Sequence, residues 1–171
     1  MALPVRGCYV DTSLIIARYK PADALHKTSK TLFEKSDLKL YISPITLIEL
    51  YSILSRIIRE LELPLVKGPL LDTLVAFIVE DCKLNIVTRT YVIDETIAGQ
   101  THKSTLEYHI LMRFAEKLKL RTLDMLHYSY AWMVKKTLGV NNFVTGDDEL
   151  LEKSEVTRGV LGIKTLHPRM I

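Results

Sequence analysis

The most constraining feature of this chain is a change of hydrophobic period that recurs along its length. Arg6 to Asp11 reads as a strand, with Cys8, Tyr9 and Val10 as strand formers, and at Asp11 the pattern breaks into a helix whose start falls to Thr12 or Ser13. A helix over about Ala22 to Lys35 carries Leu25, Leu32 and Phe33 at helical spacing, and Leu38 to Ser43 supplies a second apolar strand. Pro44 opens the next helix at its first turn. Strands alternating with helices bury both faces of a sheet only as a parallel sheet with crossovers, so the pattern predicts an α/β fold with helices on both sides.

The remainder continues the alternation. Leu63 to Pro69, with Pro64, Gly68 and Pro69, reads as a loop, and Leu70 to Cys82 as a helix. Asn85 to Asp94 is a β-branched run expected to form a third strand. A long helix is expected from Thr101 or Ser104 to about Lys119. Thr122 is the expected cap of a helix over Leu123 to Leu138, stopped by Gly139. Asn142 to Thr145 and Gly162 to Leu166 close the list of strands.

Length and composition narrow the class. With 171 residues, 48% hydrophobic and 25% charged, the sequence is expected to form one domain over residues 1–171 with its own core. No apolar run approaches the roughly 20 residues of a membrane-spanning helix, and residues 1–10 hold Pro4, Arg6 and Gly7 in place of an apolar leader segment, so a cytoplasmic protein is expected. Cys8 and Cys82 form no C-x-x-C pair and read as buried free thiols. A formal charge of +3 permits a polyanionic partner.

Four carboxylates then stand out. Asp11 and Asp147 are each the first acid past a strand, and in a parallel sheet ligands collect outside the carboxyl ends of the strands. Glu49 lies within the apolar stripe of Ile45, Ile48, Leu50, Ile53, Leu54, Ile57 and Ile58, where a carboxylate is costly to bury without a cation or donor. Asp124 sits in the first turn of its helix, with His127 one turn on as a supporting residue. Each aspartate alone has an ordinary capping or turn role. Gathered together, like charges repel unless a cation intervenes. Hard carboxylate and water ligands suit Mg²⁺ or Mn²⁺. Thr12, Ser13 and Thr145 offer hydroxyls to orient carboxylates or water. Arg18 with Lys20, and Lys117, Lys119 and Arg121, are candidate cations for the phosphates of a nucleic acid.

At these positions the chain resembles the PIN-domain nucleases: Tyr9-Val10-Asp11-Thr12-Ser13, Ser43-Pro44-Ile45-Thr46-Leu47-Ile48-Glu49-Leu50, Leu120-Arg121-Thr122-Leu123-Asp124-Met125-Leu126-His127 and Phe143-Val144-Thr145-Gly146-Asp147 follow one another in the family's order and spacing. The resemblance implies a Rossmann-like three-layer α/β/α sandwich with a mostly parallel sheet. It also implies a divalent-metal-dependent ribonuclease with Asp11, Glu49, Asp124 and Asp147 as the catalytic and metal-holding acids. Thr145 matches the family's hydroxyl beside the last acid, and Asp148 is an extra acid able to assist.

Similarity to the toxins of VapBC-type toxin–antitoxin systems implies an antitoxin partner and a homodimer. The segment from about Leu61 to Asp94 is longer than in the small toxins and is expected to carry a substrate or partner surface, and no second domain of the larger decay nucleases is seen. A second reading is an RNA-processing or RNA-binding protein of the same fold outside any toxin–antitoxin system, with or without catalysis. A third, a nucleotide-binding α/β module, is disfavoured because no Gly-rich phosphate loop follows any strand.

Overall fold

The structure is a computed structural model that describes residues 6–57 and 70–171. Its elements run β1 (Gly7–Val10), α1 (Thr12–Tyr19), α2 (His26–Phe33), β2 (Lys39–Ile42), α3 (Pro44–Ile57), α4 (Leu70–Asp81) and β3 (Leu84–Ile86). They continue with β4 (Val92–Ile97), β5 (Gln100–Thr105), α5 (Leu106–Leu118), α6 (Thr122–Leu138), β6 (Asn142–Val144), α7 (Asp148–Glu152), α8 (Ser154–Leu161), β7 (Lys164–Leu166) and a 3-10 turn at Pro168–Met170. The expected loop at 63–69 and Ile58 lie outside the described residues.

Five strands form one parallel sheet in the order β3-β2-β1-β6-β7. The order reverses between β1 and β6, so their carboxyl ends flank the crevice in which an open α/β sheet binds ligands. The register pairs Tyr9 with Phe143 and Val10 with Val144, and the Asp11 amide continues it with a 3.0 Å bond to the Val144 carbonyl. The residues just past each strand are thereby brought side by side.

Alternation along the strands divides the core into two layers. Cys8, Val10, Leu40, Ile42 and Val144 pack on one face with Leu14 and Ile15 of α1, Leu32 of α2, Leu50 and Leu54 of α3 and Ile78 of α4. Tyr9, Tyr41 and Phe143 pack on the other with Ile110 of α5, Tyr128 and Met133 of α6 and Leu161 of α8. The expected α/β/α sandwich is observed. Cys8 and Cys82 are both buried free thiols. No helix among the described residues is long and apolar enough to cross a membrane.

Several element boundaries differ from the expectation. The third sheet strand is only Leu84–Ile86; residues 87–91 lie in no strand, and Val92–Asp94 belong to a separate antiparallel ribbon in which β4 pairs with β5 from Val92↔Thr105 to Ile97↔Gln100. The helix expected from Thr101 or Ser104 therefore starts at Leu106, because residues 100–105 are spent on β5. The turn of the ribbon puts Ala98 at φ 51° and Gly99 at φ 79°, the left-handed pair that matches the twist of a two-residue hairpin. Gly162 is not a strand residue but the left-handed cap of α8, with β7 beginning at Lys164. The helix starts also shift by one, since Asp11 precedes α1 and Arg121 precedes α6 as the capping residues.

Candidate active site

The site is built outward from β1 and β6. Asp11 stands at the N-cap of α1 yet its side chain makes no capping bond, so the carboxylate is free for other work. Its Oδ2 accepts from Ser13 Oγ at 2.7 Å and from Thr145 Oγ1 at 2.6 Å. Thr145 is fully buried and also accepts the Asp147 amide at 3.0 Å, so one hydroxyl ties Asp11 to the turn that carries Asp147. Asp147 caps α7 through Oδ1, accepting from the amides of Glu149 at 2.8 Å and Leu150 at 3.4 Å. Its second oxygen is outside that cap. Asp148 is the exposed first residue of α7.

Glu49 reaches the same edge from α3, which packs against both α1 and α6. Its Oε2 accepts from the Thr12 hydroxyl and from His127 Nε2, the latter at 2.8 Å. His127 is 2% exposed, and its Nδ1 lies 2.9 Å from the Tyr9 hydroxyl, which donates onward to Ser43 Oγ at 2.6 Å. Burial works to raise the Glu49 pKa, but the His127 hydrogen bond and charge together with Thr12 outweigh it and hold it below its ordinary value. Burial conversely works to lower the His127 pKa, and the hydrogen bond to Glu49 with the charges of Asp11, Glu49 and Asp124 turns the balance upward. Both shifts favour the charged pair, in which Nε2–H donates to Glu49 and Nδ1–H to the Tyr9 hydroxyl.

Asp124 is held differently. Burial first, then the carboxylates of Asp11 and Asp147, raise its pKa from 3.8 to about 6, with His127 and Arg121 only partly offsetting them. The three aspartates thus lie within electrostatic reach of one another across the crevice.

All the donors gathered here are hard oxygens, the chemistry that Mg²⁺ or Mn²⁺ takes in preference to zinc. Among the described residues, no three acidic, histidine or cysteine side chains are close enough to grip a bare ion together. The set therefore fits a hydrated divalent cation that keeps several of its waters, rather than a closed cage.

The structure brings Thr12, Thr145 and the four acids to one edge, but it disposes of the expected cations unevenly. Arg121 bonds Glu149 of α7 at 3.1 Å and acts electrostatically on Asp124, which places it at the rim. Lys119 is the exposed left-handed cap of α5. Arg18 is only 14% exposed, packs over the rings of Tyr19 and Phe33 and pairs with Asp81 of α4 at 2.8 Å, so its charge serves the packing of α1 on α4. The expected supporting role of His127 agrees with its bond to Glu49, whereas sequence reasoning gave Tyr9 no part beyond the strand. Tyr9 shares its strand face with the position of Asp11 two residues on, and only the approach of α6 shows what its hydroxyl holds.

Comparisons with known proteins agree with this architecture. The PIN domain profile matches residues 8–156. Among solved structures, VapBC2 from Rickettsia felis bound to a DNA fragment from their promoter superposes with a TM-score of 0.54 at 13% identity, over 94% of this chain and 98% of that one. VapC20 of Mycobacterium tuberculosis, a Sarcin-Ricin loop cleaving toxin, superposes with a TM-score of 0.51 at 19% identity, over 84% of this chain and 92% of that one. At these identities the likeness is one of fold. No curated protein matches the chain significantly.

Proposed function

The chain belongs to the PIN domain family, and from that premise we propose that it is a divalent-metal-dependent endoribonuclease that hydrolyses RNA phosphodiester bonds as the toxin of a toxin–antitoxin pair. The observation that carries this reading is the gathering of carboxylates at the carboxyl ends of β1 and β6, where the half-buried Asp124 meets the charges of Asp11 and Asp147, a repulsion that a bound cation would relieve. On this reading residues 1–171 form one PIN-like domain that works as a homodimer with an antitoxin. The antitoxin is suggested by the Rickettsia felis VapBC2 structure, and RNA by the Sarcin-Ricin loop cleaving toxin.

A bound Mg²⁺ or Mn²⁺ would supply charge neutralisation at the phosphate and a water of lowered pKa. Asp11, Asp124 and Asp147 would hold it, with Glu49 beside them and Asp148 at the margin. Thr145 and Ser13 fix the Asp11 carboxylate so that Oδ2 is spent on hydroxyls and Oδ1 remains for the site. His127, braced by Tyr9, fixes Glu49 in its ionised form, available to orient an attacking water. His127 and Thr145 are positioning residues.

The test is RNA cleavage by purified protein with and without Mg²⁺ or Mn²⁺. Cleavage should require the metal and fall by about 10³-fold or more in Asp11→Asn. Metal-independent cleavage, or cleavage that survives that change, would remove the assigned site.

A further inference from the structure

We infer that the groove between α2 and the C-terminal 3-10 turn is a binding track for the phosphate backbone of single-stranded RNA, leading away from the carboxylate edge. This rests on the ribonuclease reading and adds to it where the substrate is held. The groove encloses about 300 Å³ and is lined by Lys27, Thr28, Thr31, Lys35, Pro168 and Arg169. Three of these six residues are cations and none is an acid. Among the described residues, Lys27, Lys35 and Arg169 enter no ion pair, whereas Arg6, Arg18 and Arg121 each have a carboxylate partner. Converging cations left unpaired raise the local positive potential and suit a polyanion.

Nearby contacts keep the track open and basic. Asp37, at the far end of α2, is neutralised by Arg6 at 2.5 Å, and the same guanidinium donates to the Ile171 carbonyl at 3.0 Å. One arginine thus offsets the charge of Asp37 and pins the C-terminal segment alongside α2. Lys27 and Lys35 are eight positions apart on and just past the helix, about 12 Å along its axis, enough for more than one phosphate of an extended strand.

Two independent contacts connect the groove with the carboxylates, which favours RNA over an acidic protein as its occupant. Leu25, just before α2, packs so closely on Gly146 that an added Cβ there would stand 2.0 Å from its Cδ1, and Gly146 is the neighbour of Asp147. On the other wall, the Thr145 amide donates to the Leu166 carbonyl at 3.1 Å, and the chain runs from Leu166 through His167 into Pro168 and Arg169. The hydroxyl of that same Thr145 holds Asp11.

The experiment measures binding of a mixed-sequence single-stranded RNA oligomer to the full chain in the Asp11→Asn background, with and without Lys27→Ala/Lys35→Ala/Arg169→Ala, across a salt titration. Loss of three phosphate contacts should flatten the slope of log affinity against log salt by about 2 and weaken binding by about 100-fold near 0.1 M salt. With Asp11 intact, the triple variant should cleave a dinucleotide as the unsubstituted protein does and a long RNA with a raised KM. Unchanged affinity and slope would overturn the inference. So would a poly-glutamate peptide that binds as tightly as RNA and is lost in the same variant, because the groove would then belong to an acidic protein. RNA binding through the groove without any cleavage would instead defeat the ribonuclease reading and leave the track standing.

Discussion

The two sides of the carboxylate pocket are held by opposite means. On the α3 side, Glu49 is matched by His127 and Thr12, and its charge is stabilised below the ordinary carboxylate range. On the α6 side, burial first and then the charges of Asp11 and Asp147 push the Asp124 pKa up to about 6. One side is complete within the protein, and the other is left to be completed from outside. The difference teaches that the fold contributes orientation at Glu49 and an unmet demand for positive charge at Asp124.

The sharpest way to break this contrast is to compare neutral replacements on each side. Glu49→Ala and Asp124→Asn should both reduce cleavage by about 10³-fold. Their effects on metal-free stability should be opposite. Glu49→Ala strands the buried His127 and should cost about 1–3 kcal/mol, while Asp124→Asn removes repulsion and should raise Tm. Thermal melts in chelator decide the matter, and a lower Tm in Asp124→Asn would contradict the assigned repulsion.

Next in size, His127→Ala should lower cleavage by about 10–100-fold, and His127→Gln should recover part of it by restoring a donor to Glu49. Equal losses in both variants would mean that the imidazole does more than orient. Thr145→Val, which deletes the hydroxyl between Asp11 and the Asp147 turn, should weaken Mn²⁺ binding by about tenfold in calorimetry. The smallest effect is on pH dependence. A carboxyl whose folded pKa is raised from 3.8 to about 6 adds stability that is present in full below pH 3.8 and is lost as pH rises through 6. The metal-free melting temperature should therefore lose this contribution between about pH 4 and 6, and Asp124→Asn should abolish that slope.

The carboxylate edge was legible in the sequence because its determinants are local. Short strands that end on Asp11 and just before Asp147 point to a shared edge as soon as the sheet is parallel, and Glu49 is conspicuous in an apolar stripe. What was not legible depends on approaches between distant segments. Nothing near Arg18 predicts that Asp81, 63 residues away, will claim it. The partner of Glu49 is a histidine 78 residues on, not the arginine or lysine that an ion-pair argument would seek first. The strand expected over Asn85 to Asp94 spans β3 and the start of β4, and the ribbon goes unread because its turn is Ala98–Gly99, where an alanine in a left-handed conformation gives none of the warning that Asn-Gly would. The cations of the α2 groove are scattered over residues 27, 35 and 169, and the chain must fold before they become neighbours.

The ribbon has a consequence for how this protein could be altered. All its strand pairing is internal, Val92 to Ile97 with Gln100 to Thr105, and neither strand joins the five-stranded sheet. Residues added or removed at Ala98–Gly99 would lengthen or shorten an appendage while every register that places the carboxylates stays fixed. The ribbon is accordingly the natural port for grafting: a reporter peptide or a foreign recognition loop spliced there would ride on a working scaffold.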